Sequence, residues 1–216
     1  MNDLALSYRH KAESYFQGAR KDLIDQLSAG SHRILEIGCG AGGTGAYAKA
    51  TGKAAFYHGV ELVPDYGKIA KDVLDKVTIG NVEDLEITDG PYDVLIASEV
   101  LEHLQDPWWV LKKIRHIMKP GATVFASSPN VSQLAVLKML LRGRFDLADS
   151  GVMDRTHMRW FTPATYAEMF EACGYRVQNV RPHVKPGRKA DMFNALTFRR
   201  FNHLFIRQIV VTATVD

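Results

Sequence analysis

The sequence predicts one doubly wound α/β domain, a mostly parallel sheet of seven strands with helices on both faces. Three observations carry this. From residue 33 to residue 127 short apolar segments alternate with helix-period segments, the pattern of parallel strands joined by crossover helices. The length, 216 residues, is that of a single domain. The composition, 46% apolar and 24% charged, is that of a globular protein, which excludes a disordered chain, a fibrous repeat and a disulfide-stapled miniprotein.

Residues 1–30 read as an N-terminal helical cap: Leu4, Tyr8, Tyr15, Ala19, Leu23 and Leu27 recur four or seven apart, and Gly30 ends the pattern. The main domain is expected over 31–216. Its first strand, 33–37, runs into a glycine-rich bend, and 44–50 follow as a helix. A strand at 56–61, a helix from Pro64 to about Leu74, a short strand at 77–79 and a buried strand at 92–98 come next. Apolar positions 108, 111, 114 and 118, with Lys112, Lys113, Arg115 and His116 between them, make a helical face that Lys119-Pro120-Gly121 ends. A fifth strand is expected at 122–127.

The rhythm then breaks, and about 129–161 reads as an insertion after the fifth strand. Within it, Leu134, Leu137, Leu141 and Phe145 are interspersed with Lys138, Arg142 and Arg144, an amphipathic helix with a basic side over 131–145. Such a helix either packs on the core or serves as a lid, an acceptor wall or a peripheral contact with anionic membrane. Thr162-Pro163 is a cap followed by a first-turn proline, opening a helix that Gly174 closes. Strands at 175–180 and 204–215 complete the sheet.

The formal charge of +3 is too small to imply nucleic acid, and none is expected. Charge is uneven, however. From residue 176 onward eight Lys and Arg face two acids, either a solvated basic face or a guide for an anionic substrate or partner. Two distant cysteines, Cys39 and Cys173, suit a reducing, cytoplasmic setting. The opening residues carry no secretory pattern, and no run approaches the roughly 18 apolar residues of a transmembrane segment. A homodimer is compatible with all of this.

In an open parallel sheet, ligands sit beyond the carboxyl ends of the strands, where the topology reverses. There the first strand ends in Glu36-Ile37-Gly38-Cys39-Gly40-Ala41-Gly42-Gly43. Gly38-x-Gly40-x-x-Gly43 satisfies the dinucleotide fingerprint, and Glu61 lies close to the position of a ribose-binding acid. Against that reading stands Glu36, whose carboxylate would repel a pyrophosphate but suits a ligand with a positive amino group.

The stretch Glu36-x-Gly38-x-Gly40-x-Gly42 resembles the first motif of class I S-adenosylmethionine-dependent methyltransferases. Glu61 resembles that family's ribose-binding acid. Gly80-Asn81-Val82-Glu83-Asp84-Leu85 resembles its adenine-bordering segment, with Asn81 where the family usually has Asp. Ser98-Glu99-Val100-Leu101-Glu102-His103-Leu104-x-Asp106-Pro107 resembles its signature after the fourth strand. The resemblance implies a Rossmann-like methyltransferase fold and S-adenosyl-L-methionine as cofactor. It assigns cofactor contacts to Glu36, Gly38, Gly40, Gly42, Glu61, Asn81, Val82, Glu83, Ser98, Glu99, Val100 and His103. Leu62, Val82 and Leu101 are expected to sandwich the adenine, and loop N–H groups over 38–42 to suit the cofactor's carboxylate. In the leading helices, Tyr15 and Arg20 are expected to fold over the cofactor, Arg20 pairing with the same carboxylate.

Methyl transfer from a sulfonium is an in-line displacement, so the enzyme aligns the acceptor and, for a hydroxyl, removes its proton. A phenol near pKa ~10 stays protonated at neutral pH and needs a base. Two histidines are candidates. His103 lies at the sheet's carboxyl edge. His157 lies in Asp154-Arg155-Thr156-His157-Met158-Arg159-Trp160-Phe161-Thr162-Pro163, which resembles a Thr-His-containing region of ubiquinone-biosynthesis-type O-methyltransferases. His58 is expected to be structural. The spacing of Asp149, Asp154 and His157 matches no metal template, so no metal is expected. The reading is therefore O-methylation of a small-molecule hydroxyl, a phenol, quinol or sugar. The alternatives are N-methylation of a small amine, an NAD-dependent oxidoreductase, and a non-catalytic cofactor-binding scaffold.

Overall fold

Seven strands build one sheet in the computed structural model, which describes residues 18–216. They are β1 (His32–Ile37), β2 (Ala54–Glu61), β3 (Lys76–Ile79), β4 (Tyr92–Ser98), β5 (Met118–Pro129), β6 (Tyr175–Pro182) and β7 (Gln208–Val215). Their order is β3-β2-β1-β4-β5-β7-β6. β1 to β5 pair in parallel, and β7 runs antiparallel between β5 and β6. The sheet is open and doubly wound, as expected. From β1 the chain winds outward through β2 and β3, then returns to place β4 on β1's other side. The reversal leaves a crevice at the carboxyl ends of β1 and β4.

Side-chain alternation along the central strands feeds two cores. Leu35, Ile37, Leu95, Ala97, Val124 and Ala126 join the larger cluster on one face. Their neighbours Ile34, Val94, Ile96 and Phe125 join the cluster on the other. Leu23, Ile24 and Leu27 cover that second face, so the leading segment is part of the core.

Seven helices accompany the strands among the described residues: α1 (Lys21–Ile24), α2 (Gly43–Ala50), α3 (Pro64–Lys71), α4 (Pro107–Arg115), α5 (Leu134–Leu141), α6 (Pro163–Ala172) and α7 (Arg188–Leu196). Several boundaries depart from the sequence reading. Within the described part of the cap, α1 ends at Ile24, and tight turns rather than helix carry the chain on to Gly30. Pro120-Gly121 does not end a helix but lies inside β5, which already pairs with β4 at Met118, beyond a register shift. The insertion helix is only eight residues, and Val136 alone of it is buried, so its apolar side does not pack on the core. The expected strand at 204–215 begins at Gln208, and residues 202–205 form a 3-10 turn. α7 went unread: its one buried residue is Asn194, so it has no buried apolar periodicity to recognise.

α6 closes the larger core. Phe161, Tyr166, Phe170 and Tyr175 stack in sequence with centroids 5.1, 5.4 and 5.9 Å apart. Thr162 caps the helix as expected, accepting from Thr165 N at 3.2 Å while Thr165 Oγ1 accepts from Thr162 N at 3.0 Å.

Candidate active site

A cavity of about 330 Å³ opens at the crevice between β1 and β4. It is lined by Arg20, Glu36, Gly38, Gly40, Glu61, Leu62, Asn81, Val82, Ser98, Glu99, Val100 and His103, all expected from the sequence. Of the other expected residues, Tyr15 lies outside the described residues. Gly42 and Glu83 stand outside the cavity wall. Gly42 caps α2 with φ 87°, and Glu83 Oε1 accepts from Asp106 N at 2.9 Å, anchoring the start of α4. Leu101 is fully buried in the core rather than facing a ligand.

The glycine bend takes its shape from its surroundings. Gly38 has φ 75°, and a Cβ there would lie 2.3 Å from Val100 Cγ2, so only glycine fits. The N–H groups of Gly38 and Cys39 donate to Val60 O, that of Gly42 to Cys39 O, and that of Gly40 to Glu61 Oε2 at 2.8 Å. These four amides therefore face protein acceptors. The expectation that they receive a ligand carboxylate is corrected, and so is any reading that cradles a pyrophosphate on them.

Glu61 is gripped at both oxygens, Oε2 by Gly40 N and Oε1 by Val63 N, each at 2.8 Å. Burial raises its pKa while these donors pull it down. Each oxygen keeps a second lone pair for a hydroxyl donor. Glu36 is deeper. Burial first of all pushes its carboxyl up to about 7, opposed by hydrogen bonds from the Tyr57 hydroxyl, at 2.8 Å, and from Thr44. Tyr57 and Thr44 were missed in the sequence because Tyr57 reaches Glu36 only through the β1–β2 pairing.

Arg20 enters from the leading segment. Asp22 holds its guanidinium at two nitrogens, 2.9 and 3.0 Å, and Nη1 donates to Ser98 Oγ and, at 2.8 Å, to Ser127 Oγ. Ser127 in turn donates to Glu99 Oε1 at 2.9 Å. Glu99 sits at φ 56°, a conformation rare for a residue with a side chain.

His103 and His157, 54 residues apart in sequence, meet edge to face with ring centroids 4.6 Å apart. Both are buried. His103 Nδ1 is 3.1 Å from Thr156 O, and His157 Nδ1 is 3.1 Å from Val152 O. A carbonyl only accepts, so a proton on Nδ1 satisfies each of these two contacts, and Thr156 Oγ1 also lies 3.2 Å from His103 Nδ1. Glu102 joins them: one donor atom from each of the three lies within 4.8 Å of the others. This is not the grouping weighed from spacing. Asp149 pairs with Arg155, and Asp154 caps Thr156. His157 itself lies beside the cavity rather than in its lining, behind His103. His58 is structural, bonded to the Tyr92 hydroxyl at 2.6 Å and to Thr78 at 2.8 Å.

Comparison with known proteins matches this geometry to a family. A methyltransferase-domain model matches residues 8–180. The chain is 30% identical to the ubiquinone biosynthesis O-methyltransferase of Aeromonas salmonicida, over 85% of this chain and 84% of that one. It is a class I S-adenosylmethionine-dependent methyltransferase. A namesake from Neisseria meningitidis serogroup C is 28% identical over 75% of this methyltransferase and 71% of its own length. A S-adenosylmethionine-dependent methyltransferase from Archaeoglobus fulgidus has the same fold, with a TM-score of 0.65 at 21% identity over 94% of this chain and 97% of that one.

The residues of the methyltransferase suit its cofactor. Two buried carboxylates could accept from a diol and an ammonium, Arg20 would present a cation toward a carboxylate, and Leu62 and Val82 would give apolar walls to an adenine. Among the described residues no helix is long and apolar enough to cross a membrane.

Proposed function

We propose that this methyltransferase O-methylates a small-molecule hydroxyl, a phenol, quinol or sugar, with the His103–His157 pair as its base. Glu61 would hold the ribose hydroxyls, Glu36 the amino group and Arg20 the carboxylate of the cofactor. S-adenosylmethionine supplies an electrophilic methyl carbon on a sulfonium. The single observation that carries the hydroxyl reading is the buried histidine pair at the cavity's edge. A carbonyl at Nδ1 fixes the orientation of each ring beside the cavity, and an imidazole held in place there is a group able to take a hydroxyl's proton. An amine delivered neutral needs no such base, so the pair favours oxygen over nitrogen.

His103 lines the cavity and would take the acceptor's proton. His157, stacked against it, would fix its ring and share the positive charge that develops. The printed names of the relatives, ubiquinone biosynthesis O-methyltransferases, support oxygen as the acceptor atom.

A panel of phenols, quinols, sugars and amines, screened by mass spectrometry for a gained methyl group, tests the reading. A hydroxyl product whose formation falls about 100- to 10,000-fold in His103→Ala, with S-adenosylhomocysteine affinity within a few-fold, supports it. Methylated amines only, or full turnover in His103→Ala, would overturn it. Because a carboxylate and two imidazoles also suit a divalent cation, each assay is run with and without a chelator. Loss of turnover on chelation, restored by magnesium or zinc, would replace the base with a cation at the same cluster.

A further inference from the structure

The connection between β6 and β7 bears an apolar surface that nothing among the described residues covers. Phe198 is 94% exposed, and Leu196 and Met192 are 74% and 64% exposed. Met192 and Leu196 are four apart and share a face of α7. The helix has its inner side already: Phe193 packs on Phe201 and Phe205, with centroids 6.2 and 5.6 Å apart, and Asn194 is buried. The outer side is surplus to folding. Phe198 and Arg199 also stand at φ 50° and 60°, two successive side-chain-bearing residues in the left-handed region, where bulky residues are strained. That strained turn holds a phenyl ring in solvent.

Charge surrounds this surface with one sign. Lys185, Arg188, Lys189, Arg199 and Arg200 are exposed, and none of the five is ion-paired among the described residues. Asp191 is the only acid between residues 183 and 207. The connection joins β7 at the sheet's carboxyl edge, the edge on which the cavity opens, because β7 starts opposite Pro129, the carboxyl end of β5. Asn130 fastens it there, donating from Nδ2 to His203 O and Ile206 O, each at 2.7 Å.

We propose that α7 and the turn at Phe198 dock the enzyme on an anionic lipid bilayer. Met192, Leu196 and Phe198 enter the interfacial zone, and the five cations pair with anionic headgroups. A second copy of the chain is a poor occupant, since a two-fold contact through this face would set its cations against themselves. The binding requires no assumption about the methyl acceptor, so it stands or falls apart from the hydroxyl reading.

The test is sedimentation of the full chain with vesicles of phosphatidylglycerol and phosphatidylcholine, against vesicles of phosphatidylcholine alone. Binding to the anionic vesicles only, weakened by salt, is expected. The double variant Leu196→Ser/Phe198→Asn should lower partitioning about tenfold or more. Asn tolerates the left-handed turn, so melting temperature and S-adenosylhomocysteine affinity should hold. Arg199→Glu/Arg200→Glu should lower anionic binding about tenfold or more. No binding to anionic vesicles overturns the proposal, as does binding unmoved by the two double variants but abolished by Leu141→Ser on α5. A dimer that Leu196→Ser/Phe198→Asn dissociates, without lipid binding, assigns the face to a second copy instead.

Discussion

At Glu36 the fold and the ligand make opposite demands on one carboxyl group. Burial pushes its pKa from 4.5 up to about 7, so over that interval the folded chain keeps a proton that the unfolded chain has lost. The stability tied to that proton is whole below about pH 4.5 and disappears as pH rises through about 7. Glu36→Gln, which cannot ionise, should therefore raise the apoprotein's melting temperature more at about pH 8 than at about pH 5. The same variant should bind S-adenosylhomocysteine about ten- to a hundredfold more weakly at about pH 8, by calorimetry. Equal melting shifts at both pH values would show that Glu36 does not titrate in this range. At Gly38, Gly38→Ala should cost about 1–3 kcal/mol by denaturant unfolding, because its Cβ would strike Val100 at a positive φ. Adding Val100→Ala should recover the steric part but not the conformational part. Glu36, Gly38 and Glu61 were legible because motif spacing reports strand ends and the turns between them. Thr44, Tyr57 and Ser127 were not, since each reaches its partner through packing or pairing of elements. The two histidines could be named singly from sequence; their contact could not, as it depends on how the insertion folds back on the turn after β4.

Among the elements, legibility followed burial. β1 and β4, apolar on both faces, were read to within a residue, whereas β5 begins four residues before its expected start, and α6 was read through its cap and proline. Its capping box makes a direct test: Thr162→Ala should cost about 1 kcal/mol and lower the melting temperature by about 2–4 °C. A larger fall in turnover than in stability would mean that α6 also steadies Ser127, whose carbonyl accepts from the Tyr166 hydroxyl at 3.1 Å and whose side chain contacts Arg20 and Glu99 of the cavity lining. α5 was expected as a helix with the role of its apolar side left open, and α7 was not expected, and one limit governs both. Both carry apolar side chains without a core to receive them, with Leu141 78% exposed on one and Leu196 74% on the other. Amphipathic spacing identifies a helix with two unlike sides, and it is silent about what meets the apolar one.

For the whole molecule, the two halves of the sheet divide the work. The β1-to-β4 crevice carries the residues that line the cavity, while β5 to β7 and their connections contribute none of its lining among the described residues. S-adenosylhomocysteine at about a hundred times its Kd should add about 2.7 kcal/mol of stability and raise the melting temperature by about 5–10 °C, whereas NAD should add none. A shift with NAD would contradict the inward-turned amides of the glycine bend. Those amides, with both oxygens of Glu61 already engaged, carry one more consequence. The bend is held in place by the protein's own hydrogen bonds, so binding against it demands little rearrangement of the bend. Uptake kinetics should accordingly show a single encounter-limited phase whose rate grows in proportion to ligand concentration, without the plateau that a slow closing step would impose.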